Sequence, residues 1–392
     1  MTALALVPLA PLGAALVIGL ARRTPALLAL AGVVLGLGAS GWLLAGVSPA
    51  TLALPGLPGM PLRLVATPLT ALLAVLVAAV GTSVLVYAVG YMKHEAGRVR
   101  FFALMSLFLA AMQALVLAGD WILLLAAWEL IGLCSYLLIG FWFARAEAAD
   151  AAGRAFLYTR SADLGLYLAV FLLIAGTGTS AIGVGGAAGG AAPLAVGLLL
   201  LAAAMGKSAQ APLQGWLMGA MAGPTPVSAL LHSATLVAAG AILLIRAVPL
   251  LSEGALLAVG LAGGLTSVIA GLIALGEGDL KRLLAASTSS QYGLMLVAVG
   301  AGVPLAALLH LLAHAAIKSS LFLAAGVFQH ARGSTALDHL AGVGRSRPWT
   351  FAAFALAALA LVGIPPLSGY FSKDAVLAAS LAAERAAWLA PL

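Results

Sequence analysis

The stretch Met205-Gly-Lys-Ser-Ala-Gln-Ala-Pro-Leu-Gln-Gly-Trp216 decides the fold of this chain, because it places a lysine and a helix break inside an apolar sequence. Lys207 ends a run of small and apolar residues over 192–206, and no carboxylate lies near it in sequence. A lysine at membrane depth costs about 2.5–3.5 kcal/mol on insertion scales, which makes it a candidate functional residue. Pro212 lacks a backbone donor and predicts that the helix breaks there. A buried base beside a hydrated helix break indicates ion or proton passage.

The composition predicts a helical membrane protein. The chain has 392 residues, of which 64% are hydrophobic and only 8% are charged. Soluble domains carry far more charge, so we expect a polytopic protein embedded in the lipid bilayer. The N-terminal apolar segment has no basic region ahead of it, and we expect it to be the first span and not a removable signal. The single cysteine, Cys134, lies in an apolar run and is expected to be a core residue.

Twelve predicted spans account for the apolar sequence, most of them close to the roughly twenty residues that a bilayer requires. They cover 3–21, 26–46, 66–91, 101–118, 121–143, 155–176, 191–220, 226–250, 254–275, 281–301, 304–328 and 349–383, of which 191–220 and 349–383 are broken. The proline-containing segment 46–65 predicts an irregular outer loop, and the Gly-rich segment 177–193 predicts a short loop or hairpin on the same side.

The basic residues predict the orientation of the chain. The loops after spans 1, 3, 5, 9 and 11 hold Arg22, Arg23, Lys93, Arg98, Arg100, Arg145, Arg154, Arg160, Lys281, Arg282, Arg332, Arg345 and Arg347. The opposite loops hold little beyond Arg63 and Arg246. This asymmetry places the basic loops in the cytoplasm and the N-terminus outside, and we expect the membrane to be a bacterial inner membrane. Because the basic residues orient the chain, its net charge of +7 indicates no nucleic-acid partner.

Most of the remaining ionisable side chains fall inside spans or at helix breaks. They are Glu129, Asp163 near the start of the sixth span, Lys207, His232, His310, His314, Lys318, Lys373 and Asp374. Three of the five lysines are therefore predicted to lie within the membrane. Buried lysines are rare in structural helix bundles, so these residues are the candidate site.

Glu129 is a candidate partner for Lys207. It lies in the middle of a span, within the segment 128–136. Burial alone could keep its carboxyl neutral. An ion pair with Lys207 would instead keep both groups charged. We expect the pair, because each charge alone would be buried without compensation.

His232 lies about two turns into a span whose start is marked by Thr225 as the expected cap and Pro226 in the first turn. A buried histidine with a purely structural role is common, so in isolation both interpretations stay open. The ionisable neighbours favour a functional histidine, because neutral imidazole both donates and accepts a proton.

His310, His314 and Lys318 follow each other at a spacing of four residues. That spacing puts them on one helix face, each about 6 Å from the last along the axis. We call these three residues the ladder, and we expect protons to move along it through bridging waters. Ligation of haem or a metal by the two histidines is a second interpretation, and it needs another ligand on a different helix.

A second helix break is predicted over 363–374, where two adjacent prolines and two glycines precede Lys373 and Asp374. Asp374 near a helix N-terminus suits the helix dipole, although a solvated interfacial loop would also explain it. Lys373 matches Lys207 in lying on a broken span five spans away. Odd spacing inverts the topology, so spans 4–8 and 9–13 are expected to form inverted five-helix repeats, of which the second is incomplete because only twelve spans are predicted.

Five segments of the sequence carry a resemblance to a known family: WELIGLCSYLLIGFW (128–142), GKSAQAPLQGWLMGAMAGPTPVSALLHSATLVAAG (206–240), DLKRLLAASTSSQYG (279–293), HLLAHAAIKSSLFLAAG (310–326) and GYFSKD (369–374). They resemble the largest antiporter-like subunit of respiratory complex I, subunit L or 5, and the resemblance extends over most of 86–374. The segment 62–68 lacks the acidic residue expected from this resemblance. After Asp374 only residues 375–392 remain, so the second repeat is expected to be incomplete.

The resemblance implies three parts: N-terminal helices over 1–100, a first antiporter-like repeat over 101–250 and a truncated second repeat over 251–392. It also implies a hydrated axis along the middle of the membrane. On that axis Glu129 and Lys207 form the ion pair, His232, His310, His314 and Lys318 form the relay, and Lys373 with Asp374 is the terminal exchange site. Asp163 matches the acidic position that follows the loop after the fifth helix.

The sequence therefore predicts a proton-translocating membrane subunit of an NADH-quinone oxidoreductase-like complex, associated with other membrane subunits. A subunit of a multisubunit cation/proton antiporter, a membrane-bound hydrogenase or an inorganic-carbon uptake complex would use the same residues, and sodium in place of protons stays open. No redox cofactor and no metal are expected on this chain, so any enzymatic activity would belong to the complex. The alternative from another class is a haem-binding electron carrier.

Overall fold

The protein is a bundle of membrane-length helices with one β-hairpin. The structure is a computed structural model that describes residues 1–46, 49–57, 60–183 and 193–383. Its elements are α1 (Thr2–Ala21), α2 (Pro25–Ala45), β1 (Ala50–Leu57), β2 (Met60–Ala66), α3 (Pro68–Tyr91), α4 (Arg98–Leu117), α5 (Trp121–Ile139), α6 (Ala146–Thr177), α7 (Pro193–Lys207), α8 (Gly215–Gly219), α9 (Thr225–Ser233), α10 (Leu236–Ala247), α11 (Glu253–Gly276), α12 (Leu280–Gly300), α13 (Pro304–Arg332), α14 (Val343–Ser346), α15 (Pro348–Val362) and α16 (Ser368–Ala382).

The twelve predicted spans are confirmed. Within the described ranges, ten helical stretches are long and apolar enough to cross a membrane, with α9 and α10 forming one of them over Thr225–Leu250. The other two spans are broken, α7 with α8 and α15 with α16. Helix α6 begins earlier than predicted, at Ala146, and α13 ends later, at Arg332.

Burial separates a central group of helices from a peripheral one. In the most apolar stretch of the α9–α10 span 100% of the residues are buried, and in that of α12 83% are buried. In α1 and α2 the corresponding share is 28%. Helix α13 packs against α9, α12, α15 and α16. The ionisable side chains on α9, α12 and α13 are therefore surrounded by protein, whereas the peripheral helices α1 and α2 expose many apolar side chains.

The irregular loop predicted over 46–65 is wrong, because most of this segment forms the antiparallel β1–β2 hairpin. The pairing is regular from Ala50↔Ala66 to Leu54↔Leu62 and becomes irregular beyond Leu54. Pro55 lies at that irregularity, where its missing N–H removes no regular ladder bond. Asp120 ties the hairpin to α5, since its carboxylate accepts from the backbone N–H of Arg63 (2.6 Å) and of Leu123 (2.8 Å). Most of the Gly-rich segment 177–193 lies outside the described residues.

The predicted break at Pro212 is confirmed, and protein groups surround it. Helix α7 ends at Lys207, and Ala209 has a positive φ of 49°. The backbone N–H of Ala211 donates to Thr266 Oγ1 at 3.0 Å, and Trp216 Nε1 donates to the Gly206 carbonyl at 3.0 Å. These contacts satisfy polar groups that a continuous helix would have paired internally.

A third break, between α9 and α10, does not appear among the predicted ones. It falls at Ala234 and Thr235, after Ser233 ends α9 and two residues beyond His232. The hydroxyls of Ser233 and Thr235 donate to the carbonyls of Ala229 (2.5 Å) and Leu230 (2.6 Å), so side chains supply the donors near the interruption. The expected cap at Thr225 is also wrong, because this residue begins α9 and its hydroxyl donates to Gln329 Oε1 at 2.9 Å.

The second predicted break, between α15 and α16, is confirmed. Helix α15 ends at Val362 and is capped by Gly363, which has a φ of 98° in the left-handed region that favours glycine. The backbone N–H groups of Gly363 and Ile364 both donate to the Leu359 carbonyl at 3.1 Å. Pro365 and Pro366 follow, and α16 starts at Ser368, so Lys373 and Asp374 lie in its second turn. The inverted relation of the two repeats and the division at residues 100 and 250 stay predictions.

Candidate functional site

Lys207 and Asp163 form an ion pair at the centre of the bundle. Lys207 Nζ lies 3.1 Å from Asp163 Oδ2, and both side chains are 0% exposed. Trp128 Nε1 donates to the other carboxylate oxygen of Asp163 at 2.6 Å. Asp163 is in the middle of α6, so the pair joins α6 to the last residue of α7 with Trp128 of α5 beside it.

The predicted Glu129–Lys207 pair is not the one that the structure contains. Glu129 instead pairs with Arg160, whose Nη1 also lies 4.0 Å from Asp163 Oδ2. Arg160 and Asp163 are separated by three residues on α6, and so they share a face. Because this face packs against α5 and α7, Arg160 pairs with Glu129 and Lys207 pairs with Asp163. We call Glu129, Arg160, Asp163 and Lys207 the charge cluster; it contains two acids and two bases.

A glycine on α5 makes room for the head group of Lys207. A Cβ atom added at Gly132 would lie 2.9 Å from Lys207 Nζ and 3.9 Å from Arg160 Nη2. Gly132 is one turn beyond Glu129 on the same helix. The lysine therefore lies close to the α5 backbone, one turn from the carboxylate that had been expected to bind it.

His232 lies at the end of α9, and its ring is buried at the third helix break. The ring centroid is 4.8 Å from that of Phe322 on α13. Neither ring nitrogen has a hydrogen-bond partner among the described residues. Lys281 and Lys318 are its electrostatic neighbours.

The ladder is buried along α13, as the spacing predicted. The ring centroids of His310 and His314 are 6.3 Å apart, and His314 interacts electrostatically with His232, His310 and Lys318. Lys318 Nζ donates to the Leu284 carbonyl at 3.0 Å and to Ser287 Oγ at 2.5 Å, both on α12. The structure thus brings the three ladder residues and His232 into one group.

The ladder meets the second broken helix at His310. His310 Nδ1 and Ser372 Oγ are 3.0 Å apart, and Lys373 follows Ser372 on α16. Both His310 and Lys318 interact electrostatically with Lys373. The sequence order had suggested Lys318 as the member that connects to Lys373, but the direct hydrogen bond to α16 belongs to His310.

Lys373 and Asp374 line a cavity of about 350 Å³ beside the second break. Lys373 is half-buried, and its Nζ lies 3.3 Å from the Val362 carbonyl at the end of α15. Asp374 is exposed in the described structure. Lys373 and Asp374 are therefore more accessible to solvent than the charge cluster.

Sequence reasoning missed Arg160 and Lys281, which it assigned to loops. Lys281 is only 4% exposed, and its Nζ donates to the carbonyls of Met221 (2.8 Å) and Gly223 (3.1 Å). It also lines a cavity of about 470 Å³ at the arginine-rich end of the bundle, together with Glu147, Asp150 and Gln329. The three-residue spacing between Arg160 and Asp163 could have identified Arg160. No local feature of the sequence identifies Lys281.

Among the described residues, no group of three or more His, Cys, Asp or Glu side chains is placed to hold a metal ion. Cys134 is free and buried, as predicted. The expected absence of a cofactor on this chain stays a prediction. The fold and the site define a polytopic membrane protein that holds ionisable side chains at its helix breaks.

The chain belongs to the NADH:quinone oxidoreductase/Mrp antiporter family, whose transmembrane region matches residues 118–390. Residues 59–102 match the N-terminus of chain 5 of NADH-ubiquinone oxidoreductase (complex I). The NADH-quinone oxidoreductase subunit L of Mycobacterium tuberculosis is 46% identical over 318 residues, which are 79% of this chain and 50% of that protein. The NAD(P)H-quinone oxidoreductase chain 5 of Synechocystis is 39% identical over 341 residues, 82% of this chain and 50% of that protein. This chain thus spans about half the length of these relatives.

Two solved structures share the fold. A chain of the Mrp complex from Dietzia sp. DQ12-45-1b superposes with a TM-score of 0.91 and 34% identity, over 99% of this chain and 44% of that chain. A chain of the archaeal membrane-bound sulfane sulfur reductase superposes with a TM-score of 0.90 and 22% identity, over 100% of this chain and 84% of that chain. The second similarity supports the fold alone. The resemblance drawn from the sequence is confirmed at the level of the family.

Proposed function

We propose that this chain translocates protons as a membrane subunit of an NADH-quinone oxidoreductase-like complex. The observation that carries the proposal is the ion pair of Lys207 and Asp163, both of which are fully buried at a helix break inside a membrane bundle. Burying two charges costs several kcal/mol per ion before their attraction is counted, so such a pair is a poor device for stability. A charge-carrying role accounts for its place in the membrane.

The proposed path leads from the charge cluster to the ladder and then to Lys373. His232 lies beside the ladder, and His310 contacts α16 through Ser372. Both ring nitrogens of His232 lack a protein partner among the described residues, and so does Nε2 of His310. Buried polar atoms in this state are expected to bond to water, which would link the imidazoles into a chain for proton transfer.

Lys281 and the cavity that it lines are the proposed entrance from the arginine-rich end. This cavity holds ionisable and polar side chains, and Lys281 is an electrostatic neighbour of His232. We assign this end to the cytoplasm of a bacterial inner membrane and the N-terminus to the outside, on the distribution of arginine and lysine. Lys281 would then supply protons to His232, on the path that starts at the charge cluster.

Protons are favoured over sodium as the transported ion. The ladder and His232 present imidazole and ammonium nitrogens, which carry protons, whereas hard metal cations prefer oxygen ligands. A subunit of a cation/proton antiporter is the second candidate, and the likeness to the Mrp complex supports it. Membrane-bound hydrogenases and inorganic-carbon uptake complexes remain further alternatives. In each case other membrane subunits are the proposed partners.

Two measurements test the proposal. Copurification with a tagged chain should recover the subunits of an NADH-quinone oxidoreductase, and recovery of an Mrp-type set alone would favour the antiporter. NADH-driven proton uptake by inverted membrane vesicles should be lost in Lys207→Ala. The matched control is Lys93→Ala, which removes an exposed lysine from the loop after α3. Full uptake in Lys207→Ala would refute the proposed path.

A further inference from the structure

Two neighbouring cavities at the arginine-rich end of the bundle share the residues Arg100 and Phe143. The first, of about 320 Å³, lies between the start of α4, the end of α5 and the start of α6. The second, of about 220 Å³, lies beside it around the α5–α6 connection. We call the two cavities together the arginine groove. None of the residues proposed for proton transfer lines it.

The larger cavity of the groove is lined mainly by apolar side chains. Its walls include Leu104, Tyr136, Leu137, Phe143 and Ala149. Leu137 is 39% exposed and Phe143 is 66% exposed, although both lie near the membrane boundary. Apolar side chains in this position contact lipid, so the groove opens toward acyl chains.

Arg100 and Arg145 place two positive charges at the polar end of the groove, against the single carboxylate of Glu95. Arg100 Nη2 donates to the Phe141 carbonyl at 2.7 Å, and its guanidinium lies 4.8 Å from the centroid of the Phe141 ring. Arg145 lies 4.6 Å from the centroid of the Trp142 ring. Within the described ranges neither arginine forms an ion pair with a carboxylate, including Glu95, which lines the smaller cavity.

We propose that the arginine groove binds one anionic phospholipid. The guanidinium groups would hold the phosphate, for which Arg is well suited because its planar donors form paired hydrogen bonds with phosphate oxygens. An acyl chain would lie in the apolar cavity beside Leu104 and Leu137. Basic pockets between transmembrane helices on the cytoplasmic side are typical binding sites of anionic lipid head groups.

The chemistry of the groove favours a lipid over a helix of another subunit. A phospholipid offers an anionic phosphate to the arginines and an acyl chain to the apolar cavity in one molecule.

Native mass spectrometry of the purified complex tests this inference, with phosphatidylglycerol and phosphatidylcholine of identical acyl chains as the probes. Two arginines near the surface should favour the anionic lipid by roughly thirtyfold. The double variant Arg100→Gln/Arg145→Gln should remove most of this preference, and Arg100→Lys/Arg145→Lys should keep part of it. The matched control is Arg22→Gln/Arg23→Gln, which removes two exposed arginines from the same end of the bundle.

A second variant tests the apolar part separately. Ala149 is exposed and lines the cavity, so Ala149→Phe should fill it and reduce phosphatidylglycerol retention while leaving the charges unchanged. Glycerol 3-phosphate should not displace the lipid, because it lacks the acyl chain. Equal retention of both lipids by the unaltered protein would overturn the inference, as would an equal loss in the Arg22/Arg23 control. Loss of a protein subunit instead of lipid from the Arg100/Arg145 variant would assign the groove to a partner. None of these outcomes depends on proton transport.

Discussion

Asp163 is the residue on which the charge of Lys207 depends. It is fully buried and bonded both to Lys207 and to Trp128, so it has no contact with solvent that could replace the lysine. Arg160 lies 4.0 Å from the same carboxylate oxygen, which makes it a competitor for Asp163. The ion pair of Glu129 with Arg160 restrains this competition. The charge cluster can therefore exchange partners without a change in its total charge.

This competition predicts how Glu129 influences transport. In Glu129→Gln, Arg160 loses its partner and turns to Asp163, which weakens the hold of Asp163 on Lys207. Proton uptake should slow roughly tenfold, equivalent to about 1.4 kcal/mol on the barrier. The double variant Glu129→Gln/Arg160→Gln removes the competitor and should recover part of the rate. Initial rates of dye quenching in matched vesicles provide the comparison; a double variant no faster than Glu129→Gln would mean that Glu129 acts directly.

At the scale of residues, the sequence identified most of the buried ionisable groups but not their pairing. Lys207 stands out because its neighbours in sequence are apolar, and this is a local property. The choice between Glu129 and Asp163 depends on the rotation of α5 and α6 about their axes, which local sequence does not encode. Lys281 was missed because a cation near a helix start is usually a loop residue, and only packing against the carbonyls of Met221 and Gly223 buries it.

Helix breaks organise the site at the scale of elements. Lys207 is the last residue of α7 at one break, His232 is the last residue but one of α9 at another, and Lys373 lies in α16 just beyond the break between α15 and α16. Prolines and glycines marked the breaks after α7 and after α15 in the sequence. The break after His232 lacks both residue types and depends on the hydroxyls of Ser233 and Thr235, so it was not predictable from breaker residues.

The ladder predicts non-additive effects on α13. Removing His314 leaves a separation of about 12 Å between its neighbours along the helix, which water can bridge only in part. His314→Ala should therefore slow transport, and Lys318→Ala should slow it further because a base that contacts α12 is lost. A serial path is limited by its slowest step, so the double variant should be little slower than Lys318→Ala alone. Initial rates of proton uptake for the three variants test this prediction. If the slowing in the double variant is the product of the two single effects, the ladder is a structural feature.

At the scale of the whole molecule, charge and burial divide the chain into functional regions. The peripheral α1 and α2 face lipid, whereas the α9–α10 span and α12 are enclosed by protein and carry or adjoin the ionisable groups. Composition and basic residues predicted the class of fold and its twelve spans, because both follow from the physics of insertion. The β-hairpin near the N-terminus was not predicted, because the prolines of this segment indicated a loop. The strand pairing accommodates Pro55 at the position where the pairing becomes irregular.

The orientation of the molecule can be measured independently of transport. Ala96 is exposed in the loop between α3 and α4, and Cys134 is buried. A cysteine introduced by Ala96→Cys, in a chain that also carries Cys134→Ser, should resist impermeant thiol reagents in intact cells and react in inverted vesicles. The matched position is Ala50, at the start of the β-hairpin on the opposite side, where Ala50→Cys should show the reverse pattern. External labelling at residue 96 would reverse the assigned topology.

The proton yield of Asp163→Asn tests the central claim most directly. The measurement is the number of protons taken up per NADH oxidised by inverted vesicles that contain the complex. Asp163→Asn leaves Lys207 without its buried partner, a change that typically costs about 3–5 kcal/mol in an ion pair, and we predict that the yield from this chain is lost. Asp120→Asn is the control, because this buried aspartate lies outside the proposed path and asparagine can keep the cap of α5, although it gives up the second bond, to the backbone N–H of Arg63. An unchanged yield in Asp163→Asn, equal to that of Asp120→Asn, would contradict the account.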